Sequence, residues 1–149
     1  MVEGKEIAAD FQFRGNRVKL FSLETKIADT KGKKVSAEFQ FDYNVNQCDE
    51  DDGKYFGIIE FIVHGKAKAG RSNLFKFELT MEGAFVGKPE ALTIERFKQM
   101  LEQNGIVTLS QISRSFLLSV TSQSGINPPV MLPMINVLAL YEKKKAGKE

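Results

Sequence analysis

From Leu74 to Val86 apolar and polar positions alternate, with Phe75, Phe77, Leu79, Met81 and Phe85 on one parity and Lys76, Glu78, Thr80 and Glu82 on the other. Successive side chains of a strand point to opposite faces, so this stretch predicts one long strand with an apolar face and a wet one. Four earlier segments carry compatible patterns. Ile7 to Phe13 alternates weakly, and Gly15-Asn16 after it reads as a turn. From Arg17 to Ile27 the alternation slips, Val18 and Leu20 sharing one parity and Phe21 and Leu23 the other, which predicts a bulge or a strand apolar on both faces. Val35, Ala37, Phe39, Phe41, Tyr43 and Val45 alternate cleanly with polar neighbours, so this strand has one solvated face. Tyr55 to His64, with Ile58, Ile59, Phe61, Ile62 and Val63, is apolar on both faces and reads as a central strand. The polar stretches between these segments, Asp29 to Lys34, Asn46 to Lys54 and Gly65 to Asn73, read as connections.

The period changes after Gly87-Lys88-Pro89, where the missing proline N–H breaks strand pairing. Ile94, Phe97 and Leu101 fall at helical spacing, with Thr93 as N-cap and Asn104-Gly105 as the stop. Leu109, Ile112, Phe116, Leu117 and Val120 mark a second helix, capped by Thr108 and ended by Gly125. Asn127-Pro128-Pro129 then favours an extended entry into Val130 to Tyr141, and KKKAGKE reads as a solvated tail. The sum is a single α+β domain over residues 1–149, a four-stranded antiparallel sheet of residues about 17 to 86 followed by two helices on one face.

Composition narrows the classes. Hydrophobic residues at 42% and charged ones at 27% fit a soluble globular chain, and no apolar run approaches the roughly 20 residues of a membrane span. The start MVEGKEIAAD lacks the pattern of a secretory signal, and the single Cys48 has no intramolecular mate, so a cytoplasmic protein is expected. A net charge of +2 gives no reason to expect a nucleic-acid partner. The acidic run Asp49 to Asp52 lacks the alternating ligands and closing Glu of a calcium loop and reads as a solvated hairpin tip. His64 and Cys48 make a Cys-His pair arithmetically possible, with no third group to orient it. No metal cluster, phosphate loop or nucleophile elbow is visible, so no cofactor and no enzyme is expected.

Several strings, in order, resemble the bacterial protein-export chaperone family SecB. DDGKYFGIIEFIVHGKA at Asp51 to Ala67 is similar to its acidic lead-in and third strand, and LFKFELTMEGAFVG at Leu74 to Gly87 to its fourth. ISRSFLLSVTSQSG at Ile112 to Gly125 resembles its long helix, and INPPVMLPMIN at Ile126 to Asn136 the segment after it. The resemblance, over residues 17 to 141, implies an ATP-independent tetrameric holdase that keeps unfolded precursors in apolar grooves and hands them to the SecA motor. It places groove lining on Val35, Ala37, Phe39, Val130, Leu132 and Ile135, and an interface between dimers on Phe97 and Leu101. The two-sided strand Tyr55 to Val63 and the helix Ile94 to Leu101 independently suggest a homo-oligomer, dimer or tetramer. The family's long aromatic crossover loop is short and polar here, from Ala28 to Lys34, which implies a shallower groove. Of its acidic SecA-docking surface only Glu24 remains; Leu20 holds another such position, and Lys66, Lys68 and Arg71 stand where acidic residues are expected. These changes argue against SecA docking and leave a dedicated polypeptide client as one reading. The alternative is a structural or ligand-binding oligomer that has kept the fold.

Overall fold

The computed structural model describes residues 1–27 and 31–147. Its elements are α1 (Gly4–Ile7), β1 (Phe11–Thr25), β2 (Val35–Asp51), β3 (Lys54–Ala69), β4 (Ser72–Gly87), α2 (Ile94–Met100), a π-helical turn (Leu101–Gly105), α3 (Ile106–Ser122) and α4 (Val137–Ala146). The strands form one four-stranded antiparallel sheet, as the alternation predicts, and the structure gives its order as β1-β4-β3-β2. The long alternating strand β4 lies inside the sheet between β1 and β3, β3 is central as expected, and the cleanly alternating β2 is an edge strand. The slip between Val18 and Leu20 is a bulge against Met81 and Thr80.

Pairing runs further than side-chain polarity suggests. Gly15-Asn16 is no turn: β1 passes through it with a second register shift between Phe13 and Gly15, so the first strand begins at Phe11. The expected loop Asn46 to Lys54 is mostly strand, with Asp51 opposite Lys54 and only Asp52 and Gly53 turning, both at positive φ (51° and 73°). Positive φ at both central residues is what a tight hairpin of matching twist requires. Gly65 to Asn73 is likewise strand up to Ala69 and again from Ser72, around a turn at Gly70-Arg71. In each case an apolar partner strand carries a polar one along, because ladder hydrogen bonds are made by backbone. The connection from Ala28 to Lys34 lies partly outside the described residues; Lys31 to Lys34 leads back to the far edge of the sheet.

Odd-numbered positions of β3 and β4 are buried under the helices, and with Leu101, Ile106, Leu109 and Leu117 they make the core. Close approach depends on glycines in the strands. A Cβ at Gly83 would lie 2.7 Å from a Leu109 methyl, and one at Gly57 would lie 2.7 Å from a Leu101 methyl. Thr93 caps α2 as expected, accepting from the Arg96 N–H at 3.1 Å. The expected stop at Asn104-Gly105 does not occur. The helix continues through the π turn into α3, and the Thr108 hydroxyl donates back to the Asn104 carbonyl at 3.1 Å instead of capping. Gly105 is helical and buried against Phe85 and Ile59, where an added Cβ would meet them at ordinary contact distances of 3.4 and 3.5 Å. The extra residue of a π turn re-aims the face after it, and here Leu101, Glu102, Gly105, Ile106 and Leu109 all remain buried.

The chain is extended or irregular from Ile126 to Asn136, and then the expected extension and loose tail are replaced by α4. Asn136 caps it, accepting from the Ala139 N–H at 3.0 Å. Phe97 and Leu101, expected at an interface between dimers, are both 0% exposed within one chain. Helical spacing identified the buried stripe correctly, but the sheet of the same chain covers it, leaving these side chains no surface for a partner.

Candidate functional site

An open apolar groove of about 390 Å³ lies between the N-terminal half of β2, the start of β4 and the segment from Gly125 to Met131. Val35, Ala37, Phe39 and Val130 line it together, joined by Phe75 and Met131. Their roles differ by burial: Val35 is 52% and Met131 56% exposed at the rim, whereas Val130, 5% exposed, closes the floor. The wall is held from below. Buried Thr121, on the last turn of α3, donates to the Leu117 carbonyl at 2.6 Å and accepts the Val130 N–H at 2.8 Å. One hydroxyl thus ties the helix end to the proline-rich segment.

The other two groove candidates lie elsewhere. Leu132 is core at 2% exposure, and with half-buried Ile135 it lines a separate hollow of about 80 Å³ beside Phe41 and Arg114. Met134, 82% exposed, stands at its rim. Parity placed Phe75 on the apolar face of β4, but it could not reveal that the helical layer stops short of that end. The methionines of the 131–134 segment were a usable signal, since flexible, polarizable side chains suit an adaptable apolar surface.

A third hollow, of about 460 Å³ and mixed polar and apolar lining, lies between β2 and α2, with Tyr43, Cys48, Lys98, Glu102 and, from α4, Lys144 around it. Glu102 is 2% exposed; the Tyr43 hydroxyl donates to its Oε2 at 2.9 Å and Lys145 Nζ lies 3.4 Å from its Oε1. Burial, then the Glu102 carboxylate, push the Tyr43 phenol well above its ordinary range. Lys144 Nζ sits 2.6 Å from Asp42 Oδ1 and 5.6 Å from the centre of the Tyr43 ring. Partial burial raises the Asp42 pKa, but the hydrogen bonds from Lys144 and the Tyr43 N–H outweigh it and the net shift is downward. A carboxyl depressed in the folded state stabilises fully above its unfolded pKa, about 3.9, and that contribution is lost as pH falls through the lower folded value. Amide exchange in Val137–Ala146 is therefore expected to speed up as pH drops below about 4 beyond the intrinsic pH trend, and to be faster in Asp42→Asn above that pH, the two proteins converging below it. A variant with unchanged protection would show that α4 is held by other contacts.

Cys48 and His64 cannot pair. Cys48 is opposite Gly57 on the core side of β3 and His64 projects to the other side, separated along the strand by roughly 23 Å at 3.3 Å per residue. Among the described residues no group of three or more His, Cys, Asp and Glu is placed to hold a metal ion, and no helix is long and apolar enough to cross a membrane.

No family model and no curated protein matches the chain. Among solved structures, its fold is similar to that of a SecB-like chaperone of Mycobacterium tuberculosis, solved in complex with a ChAD peptide from the HigA1 antitoxin. That likeness has a TM-score of 0.66 at 16% identity, over 89% of this chain and 96% of the other. A protein of unknown function from Streptococcus agalactiae aligns at a TM-score of 0.44 and 11% identity, over 83% of this chain and 97% of the other. The class defined by the antiparallel sheet and its helical layer is the SecB-like α+β fold.

Proposed function

We propose that the protein is an ATP-independent holdase of the SecB type, a cytoplasmic homo-oligomer that binds extended apolar stretches of unfolded polypeptide. The observation that carries this reading is the open groove of Val35, Ala37, Phe39 and Val130 beside β2, which is an edge strand. An unfolded chain offers apolar side chains and unpaired backbone groups, and an apolar trough next to a free strand edge answers both with little sequence selectivity. The peptide-bound chaperone of similar fold supports the same reading. The test is light scattering of a chemically denatured client diluted into buffer without nucleotide. Stoichiometric protein is expected to suppress aggregation; no suppression across several clients would favour a structural or ligand-binding oligomer.

General export through SecA is not part of this function. Lys66 and Lys68 lie on β3 and Arg71 in the turn after it, so a basic docking tail meets like charge there. Titration of the motor's basic zinc-bearing tail at low salt is expected to show weak or no binding. Micromolar affinity would restore export in place of a dedicated client.

A further inference from the structure

We infer that the groove takes client segments whose apolar stretch is flanked by acidic residues, the carboxylates meeting a basic mouth of Lys26, Lys33, Lys34 and Arg71. This rests on the holdase reading and adds to it the chemistry of the client. Lys26 lines the groove itself and is the one charged side chain among the described residues that do so. The other three stand at the end where β2 begins. The Lys33 side chain lies over the β3–β4 turn, its Cδ 3.6 Å from where a Cβ on Gly70 would stand, and the Gly70 N–H donates to the Lys34 carbonyl at 3.3 Å. Arg71 follows in the same turn, and the Lys26 N–H donates to the Leu74 carbonyl at 2.9 Å, tying the end of β1 to the start of β4. All four side chains are exposed, and none makes an ion pair among the described residues.

The segments that build the groove hold little to neutralise this mouth. From Phe61 to Phe77, and again from Gln103 to Tyr141, the chain has no acidic residue, and from Lys26 to Lys34 it has four lysines against Asp29. Glu38 and Glu24 are engaged at positions of the opposite parity to the groove residues, Glu38 at 3.6 Å from Lys66 and Glu24 opposite Lys76. The densest acidic run, Asp49 to Asp52, sits at the β2–β3 hairpin. That is the far end of β3, roughly 50 Å away at 3.3 Å per residue. Screening at physiological salt acts over about 8 Å, so the hairpin does not offset the mouth. The net charge of +2 thus hides a sheet that is basic at one end and acidic at the other.

An extended client laid along β2 sets its apolar residues against Val35, Ala37, Phe39 and Val130, and the residues beyond them run out past Val35 toward the basic mouth. In the other direction, past Phe39, Asp42 and Lys144 already satisfy each other at 2.6 Å. The demand for negative charge is therefore one-sided. Apolar contact and backbone pairing discriminate weakly between sequences, so the flank supplies the selection. Acidic flanks gain charge-assisted contacts, and basic flanks meet like charge.

The test is a fluorescence anisotropy titration of three peptides that share one apolar core and are flanked at both ends by Asp, by Ser or by Lys. At low salt the Asp-flanked peptide is expected to bind roughly tenfold or more tightly than the Lys-flanked one, with the Ser-flanked peptide between them. At 1 M salt, where screening acts over about 3 Å, the three are expected to converge on the affinity of the Ser-flanked peptide. Lys33→Glu combined with Arg71→Glu, both exposed and outside the strands, is expected to reverse the order while leaving the Ser-flanked affinity unchanged, which shows that the double variant is folded. Equal affinities at low salt, a preference for Lys flanks, or an order unchanged in the double variant would each overturn the inference and leave the groove standing. No binding of any of the three would overturn the groove with it. Salt-sensitive self-association that disappears in the double variant, with no preference among the peptides, would make the acidic hairpin of a second copy the occupant and overturn the inference as well.

Discussion

Leu101→Ala is expected to lower the stability of the chain by about 2–5 kcal/mol, equally at low and at high protein concentration. Leu101 is 0% exposed and its methyls fill the notch above Gly57, beside the Phe97 ring. Truncation removes the transfer energy of the side chain and leaves a cavity, because the π turn and the sheet hold their positions on either side. An interface residue would behave differently: its loss would weaken association, and the drop in unfolding midpoint relative to wild type would itself depend on protein concentration. Urea unfolding at two concentrations a hundredfold apart distinguishes the cases. A destabilisation that appears only at the higher concentration would return Leu101, and Phe97 with it, to an assembly interface.

Val35→Asp combined with Ala37→Asp is expected to abolish aggregation suppression while leaving the unfolding midpoint nearly unchanged. Both positions are exposed on an edge strand, so the carboxylates remain hydrated and the core does not register them. An apolar client segment entering the groove would have to strip water from the two charges without pairing them, a penalty of several kcal/mol. Weakening of client binding by a hundredfold or more is therefore the expected reading of a fluorescence titration with an unfolded client. Full retention of client binding in a folded double variant would place the client elsewhere on the surface.

The parts of the fold legible from the amino acids are those where burial writes a period into the chain. Ile59, Phe61, Leu79, Met81 and Phe85 report a sheet face under a helical layer, and Ile106, Leu109 and Leu117 lie in that layer. Strand ends are not legible in this way. Asp49 to Asp51 and Lys66 to Lys68 pair through their backbones, and backbone pairing leaves no trace in side-chain polarity. Gly105 misleads because a residue type that commonly ends a helix is here carried inside one, with Leu101, Ile106 and Leu109 buried on either side of it. The last helix has no fully buried residue: Val137 and Leu140 pack only partly against the core and Lys144 and Lys145 make the ion pairs, so its apolar stripe is too short to announce a helix. Of the groove, Val35, Ala37, Phe39 and Val130 were reached through likeness to a family. Phe75 and Met131 required knowing how far the helices extend.

The strand order also has a consequence in time. The hairpins β2-β3 and β3-β4 close around turns of two residues, whereas β1 finds its partner across nearly the whole sheet sequence, Thr25 opposite Phe75. Closing a long loop costs entropy before any contact rewards it, so β1 is expected to dock late and its pairing to set the folding rate. Until it does, β4 is itself a bare apolar edge. In a holdase of the kind proposed, that edge in a newly made chain would resemble the segments the groove is proposed to hold, and a folded sister molecule would be a first client of its own nascent copies.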